Sequence, residues 1–140
     1  MGNRKSICFV ATAEFAVSSF LVSHLKELSK YHDLTVVVNL KNPRFLSEKK
    51  LDIKLVNINF SREISIISDL VSLAQLTYLF LIKRYDAVHS ITPKAGLLAM
   101  IASFLTFIPV RVHCFTGQVW ATKFGLSRFC LKLIDKIIGI

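Results

Sequence analysis

The sequence is short of acidic residues, glycine and cysteine, and each shortage excludes a class of function. Nine Asp and Glu stand against eighteen Lys and Arg, a formal net charge of +9 at pH 7. That imbalance favours an anionic partner, whether a phosphate-bearing ligand, a membrane surface or nucleic acid. The basic residues are scattered and no aromatic-basic RNA motif occurs, which sets nucleic acid aside. No Asp-x-Asp pair and no histidine pair at ligand spacing is found, so no metal is expected. Glycine numbers five in 140 residues, and none lies in Ala11–Ala16 after the first apolar run. GxGxxG and P-loop cradles are excluded there, and with them most dehydrogenases and kinases. Without a Gly-x-Ser-x-Gly elbow, a hydrolytic nucleophile is poorly supported too. Cys8, Cys114 and Cys130 are odd in number and widely spaced, which fits neither a disulfide framework nor a zinc knuckle. They read as buried thiols in a reducing compartment.

Long apolar runs are also limited. The stretch after Arg4-Lys5 ends within a few residues, too soon for a secretory signal. Met1–Ser6 matches a myristoylation pattern too loose to outweigh chance, and the sequon at Asn59 is discounted in a chain expected to be cytosolic. Leu70–Ile82 and Ala95–Val110 carry no charge, yet both fall short of the roughly twenty residues of a spanning helix. They read as helices buried against a sheet.

Hydrophobic residues make up 53% of the chain, enough for one domain with a sizeable core and against disorder. Strand and helix patterns alternate. Ser6–Thr12 is a strand, Val17–Tyr31 a helix, Leu34–Leu40 a strand, and Lys41–Lys50 a loop or short helix. Asp52–Ile58 is a strand, Ile66–Arg84 a helix, Ala87–Ser90 a strand, Lys94–Phe107 a helix, Val110–Phe115 a strand and Ser127–Lys136 a helix. Alternation of this kind predicts a doubly wound α/β domain with a parallel sheet. Runs such as TVVV and VRVHCF, apolar at successive positions, predict strands covered on both faces. The closing run Asp135–Ile140 has the pattern of a strand just starting, so the domain is expected to be cut before its last elements.

In such a sheet, ligands bind beyond the carboxyl ends of the strands. The loop His89-Ser90-Ile91-Thr92-Pro93-Lys94-Ala95-Gly96 offers a capping Thr92, Pro93 at the first helical position, and free N–H groups at the positive end of a helix dipole. Lys94 adds a charge that the dipole disfavours and a bound anion would offset. A plain helix start with a solvated Lys94 remains the alternative. His113, near a strand end and followed by Thr116-Gly117, suits hydrogen bonding or proton transfer, and equally a packed ring beside aromatics. Arg62 stands before a helix as an anion clamp or as half of a surface pair with Glu63. His24 and His32 read as surface or structural residues.

His89–Leu98, Pro109–His113 and Phe115–Trp120 together resemble bacterial family-four glycosyltransferases of the GT-B fold. Arg62 ahead of a helix containing Asp69, and the closing Asp135-Lys136-Ile137-Ile138, fall where that family has similar residues. The TPKAG segment is the most specific element, and the resemblance runs over essentially the whole chain. It implies that residues 1–140 form a Rossmann-like amino-terminal, acceptor-side domain, with the donor-binding carboxy-terminal domain absent. It further implies a retaining transferase that needs no metal or other cofactor and takes a nucleotide-sugar donor. The acceptor would be a lipid-linked saccharide of surface polysaccharide synthesis. His113 resembles the cleft histidine that touches the transferred sugar. Thr92, Lys94 and Gly96, with His89 and Arg62, match the acceptor or anion side, and Thr116 and Gly117 the sugar-cleft loop. Ala13-Glu14-Phe15 departs from the family, which often has glycines there. The expected location is cytoplasmic, with a peripheral position at the inner membrane surface. Activity is expected to be lacking in the isolated chain. The competing expectation is a non-catalytic, membrane-associated subunit that presents the acceptor to a separate donor-binding chain.

Overall fold

The computed structural model describes residues 4–51, 53–60 and 65–114. β1 (Ser6–Ala13) leads into α1 (Glu14–Phe20) and α2 (Val22–Leu28), then β2 (Asp33–Asn39). A short 3-10 turn at Ser47–Lys49 precedes β3 (Lys54–Asn57). α3 (Ile66–Lys83), β4 (Ala87–Ile91), α4 (Pro93–Leu105) and β5 (Val110–Cys114) complete the described part. The predicted helix at 127–136 lies outside it.

The five strands form one sheet in the order β3-β2-β1-β4-β5, and every pair is parallel. β1 is central, with Cys8 beside Thr35 of β2 and Val88 of β4. Alternate side chains serve opposite faces because successive strand residues point opposite ways. Cys8, Val10, Val37 and Val88 pack with Leu76 and Phe80 of α3 and with Leu98 and Ala99 of α4. Phe9, Ala11, Val36 and Val38 pack on the other face with Val17 of α1 and with Leu21 and Leu25 beside it. The chain turns outward in opposite directions after β1 and β4, so the switch point of the sheet lies between them.

Four expectations are corrected. The first helix is broken at Leu21, whose φ of −110° opens the turn between α1 and α2. It also begins earlier, at Glu14, an acid suited to the positive end of the dipole. Cys114 is exposed, like most of β5, whereas Cys8 is buried and its thiol pKa is raised by desolvation. β5 is not covered on both faces, since Val110 and Val112 are exposed. Finally, α3 is not a buried helix. Its 18 residues are long and apolar enough to cross a membrane, yet only 17% of that stretch is buried. Asp69 made the apolar run look shorter in sequence, but its carboxylate is turned toward Lys94, so the apolar face extends back to Ile66.

Candidate functional site

The loops after β1 and β4 meet at the switch point. Thr92 Oγ1 accepts the Thr12 N–H at 3.2 Å and lies 2.8 Å from Thr12 Oγ1. The expected helix cap is therefore not made: no side-chain hydrogen bond caps α4, and the Thr92 hydroxyl serves the neighbouring loop instead. Only its backbone starts the helix, with the Gly96 N–H donating to Thr92 O at 2.9 Å. Thr92 sits at φ 74° and ψ 140°, a conformation that costs a β-branched residue free energy and is typical of functional loops.

Lys94 is not solvated. Its Nζ lies 3.0 Å from Asp69 Oδ1, with the two side chains only 17% and 23% exposed. A cation in the first turn of α4 is unfavourable and an anion in the first turn of α3 favourable, so the pair offsets the cost internally. The anion that the sequence seemed to require is thus supplied by the protein.

His113 faces the same side. It pairs in register with Ser90, whose buried hydroxyl lies 2.8 Å from His113 Nδ1. The imidazole rests on the first turn of α4 at Gly96. A Cβ there would overlap Cε1 and Nδ1 of the ring and lie 3.1 Å from Nε2. Glycine at 96 therefore makes room for His113. His89 points to the opposite face, because it neighbours Ser90 in β4. Its ring lies 5.2 Å from Phe9, and among the described residues its Nε2 is buried without a hydrogen-bond partner. Burial lowers its pKa below the ordinary value, with smaller contributions from His24 and His113.

Thr92, Lys94, Gly96 and His113 are thus brought together, and His89 is not. Arg62, Thr116 and Gly117 lie outside the described residues. Sequence reasoning passed over Ser90, Thr12 and Asp69 as site builders. A serine in the buried run AVHSI was the available signal for the first. Glu14 was noted only as a departure, yet its carboxylate accepts main-chain N–H bonds from Lys41 and from Asn42, the latter at 2.7 Å. It ties the loop after β1 to the loop after β2. Beside it, Thr12, Phe15, Asn39, Lys41 and Phe60 help to line a cavity of about 190 Å³. A larger one, about 300 Å³, includes Arg4, Asp33, Lys54 and Tyr85 at the amino ends of the strands, away from the switch point. Among the described residues no three His, Cys, Asp or Glu side chains converge as a metal site would require.

A parallel sheet in this order, covered by helices, is Rossmann-like, as in the amino-terminal half of GT-B proteins. The chain belongs to the glycosyl transferase 4-like family, whose profile matches residues 6–138. It is 32% identical over 133 residues to the capsular polysaccharide biosynthesis glycosyltransferase CapM of Staphylococcus aureus, an alignment covering 81% of this chain and 35% of that protein. It is 41% identical over 79 residues to the Escherichia coli UDP-Gal:alpha-D-GlcNAc-diphosphoundecaprenol alpha-1,3-galactosyltransferase, covering 56% of this chain and 20% of the relative. The chain therefore spans about a third and a fifth of the lengths of these relatives. Among solved structures, Acinetobacter baumannii MurG superposes with a TM-score of 0.65 at 14% identity, over 93% of this chain and 39% of that one.

Proposed function

We propose that these residues form the acceptor-binding half of a retaining glycosyltransferase that requires no metal. The reaction moves a sugar from a nucleotide-sugar to a lipid-linked saccharide during surface polysaccharide synthesis, at the cytoplasmic face of the membrane. Membership of the family supports the reaction class. The names of the two relatives, one of capsule synthesis and one acting on a diphosphoundecaprenol-linked sugar, support the acceptor class. The donor is held by the complementary half of the GT-B fold, outside these 140 residues.

One observation carries the assignment of roles: His113 is held by Ser90 and Gly96 beside the uncapped start of α4. The α4 N–H groups and dipole address an acceptor phosphate or sugar oxygen, with Thr92 and Lys94 shaping that turn. His113 addresses the transferred sugar, where charge develops as the donor bond breaks. Arg62, Thr116 and Gly117 keep the acceptor-side and cleft roles that the family resemblance implies.

The test uses a longer protein carrying both halves, a UDP-hexose donor and a diphospholipid-linked acceptor. His113→Ala is expected to lower kcat about a hundredfold, the range for a lost electrostatic or acid-base contact, while acceptor KM changes little. Equal losses in kcat and in folding stability would instead make His113 a packing residue. Turnover by the 140-residue chain alone would refute the division between the halves.

A further inference from the structure

The cavity of about 300 Å³ at the amino ends of the strands has no part in the site described above. Several elements begin or end around it. β2 starts at Asp33, β3 at Lys54 and β4 shortly after Tyr85, while α3 ends at Lys83. Thr35 of β2 is the register partner of Lys54 in β3 and of Cys8 in β1. Residues paired in this way share a face of the sheet, and Cys8 packs on the face that α3 covers. Lys54 therefore lies on the α3 side. Lys83 follows the buried Ser72, Leu76 and Phe80 at helical spacing, which puts it on the face of α3 turned to the sheet. The fold thus brings two lysines to one opening.

The charges that line this opening differ in their company. Arg4 is engaged within the protein: its Nε donates to Asp33 Oδ1 at 2.9 Å and its Nη2 to His32 O at 2.9 Å. Arg4 and Asp33 therefore offset each other. Lys54 and Lys83 make no salt bridge with a carboxylate among the described residues. They stand near enough that the Lys83 ammonium lowers the Lys54 pKa. Tyr85, also lining the cavity, is only 4% exposed, and its hydroxyl is buried without a hydrogen-bond partner among the described residues. Burial raises the Tyr85 pKa to about 12; the Thr35 hydroxyl is near enough to oppose that shift but makes no hydrogen bond with it. Buried donors left unpaired are rare in folded proteins. Two cations with no carboxylate beside them, and a donor with no acceptor, ask for the same kind of ligand.

We propose that this cavity binds a small phosphate-bearing molecule, its dianionic group held between the Lys54 and Lys83 ammoniums with the Tyr85 hydroxyl as a third donor. Two charges on one group match two ammoniums, and a dianion between them also relieves their mutual repulsion. A single carboxylate does so only in part. The volume lies at the lower end of the range for small-molecule sites, which suits a phosphate carried on a compact body. The cavity is at the opposite end of the strands from Thr92, Gly96 and His113, so its ligand is not the one held in the crevice. The proposal does not depend on sugar transfer, and its test needs neither donor nor acceptor.

Inorganic phosphate and acetate are titrated into the purified chain at fixed ionic strength, with binding followed by backbone amide NMR shifts. Phosphate is expected to shift the amides of Thr35, Lys54 and Tyr85, and acetate to bind about tenfold more weakly or less. Lys54→Gln and Lys83→Gln should each weaken phosphate binding about tenfold, and Tyr85→Phe about threefold. Both lysines are exposed, so these variants are expected to keep the wild-type circular dichroism spectrum. Lys54→Arg retains the charge and should retain most of the affinity. Lys26→Gln, at an exposed position of α2 away from the cavity, removes the same charge and should leave affinity unchanged. Absence of wild-type binding, undiminished binding by any of the three weakening variants, or an equal loss in Lys26→Gln overturns the proposal. So does acetate binding as tightly as phosphate, or a set of shifts confined to the Thr92–Gly96 turn, which would put the anion in the crevice.

Discussion

Lys94 Nζ and Asp69 Oδ1, 3.0 Å apart and about four-fifths shielded from water, pin the first turn of α4 to the first turn of α3. The two helices lie side by side on one face of the sheet, and this bridge holds their ends at the crevice.

Lys94→Ala is accordingly expected to destabilise the fold, not merely to weaken a ligand. It leaves the Asp69 carboxylate partly buried without its cation, at a cost of about 1–3 kcal/mol. Chemical denaturation of Lys94→Ala, Asp69→Ala and the double variant measures the coupling. A double variant no more damaged than either single one indicates that the pair acts as a unit; additive losses would contradict it.

Gly96→Ala tests the seat of His113. Intrinsic helix propensity favours alanine over glycine by about 1 kcal/mol. The added Cβ, however, would overlap the imidazole, so a loss of about 1–3 kcal/mol is expected. The sign of the change in melting temperature decides. A rise would mean that the ring does not sit on α4.

Ser90→Ala removes the hydroxyl at His113 Nδ1. Stability should fall by about 0.5–1.5 kcal/mol, the ordinary worth of such a bond. The nitrogen-15 shifts of the His113 ring should also change, reporting an altered tautomer balance. Unchanged shifts would show that Ser90 does not orient the ring.

His89 gives the fold a pH dependence. Its folded pKa lies below the ordinary value of 6.5, chiefly through burial. The unfolded chain therefore binds the proton more readily, and stability increases with pH across that interval. The contribution is fully present above about 6.5 and is lost as pH falls toward the folded value. Melting temperatures between pH 5 and pH 7.5 should fall on the acid side, and His89→Phe should flatten the slope. A slope unchanged by that substitution would assign the effect to other groups.

The strands were readable because local signals bound them. Asp86 and Thr92 flank the apolar residues of β4, and Pro109 precedes β5, so both begin where the sequence placed them. β3 is shorter than its pattern at both ends. What could not be read were relations through space. Periodicity showed that α3 is apolar, but not that half of it lacks cover. Spacing suggested that Lys94 needed an anion, but gave no hint that Asp69 lies beside it. A threonine before proline looked like a cap, whereas the fold brings Thr12 within reach of its hydroxyl. The family resemblance put the glycine of TPKAG on the acceptor side, but it could not show that the space beside it is taken by a histidine from the next strand.

The hydroxyls of Thr12 and Thr92 also bear on motion. They clasp two loops that lead to opposite faces of the sheet, and among the described residues they form a polar latch between those loops. Two loops tied in this way move together, so a displacement of one strand end is carried to the other.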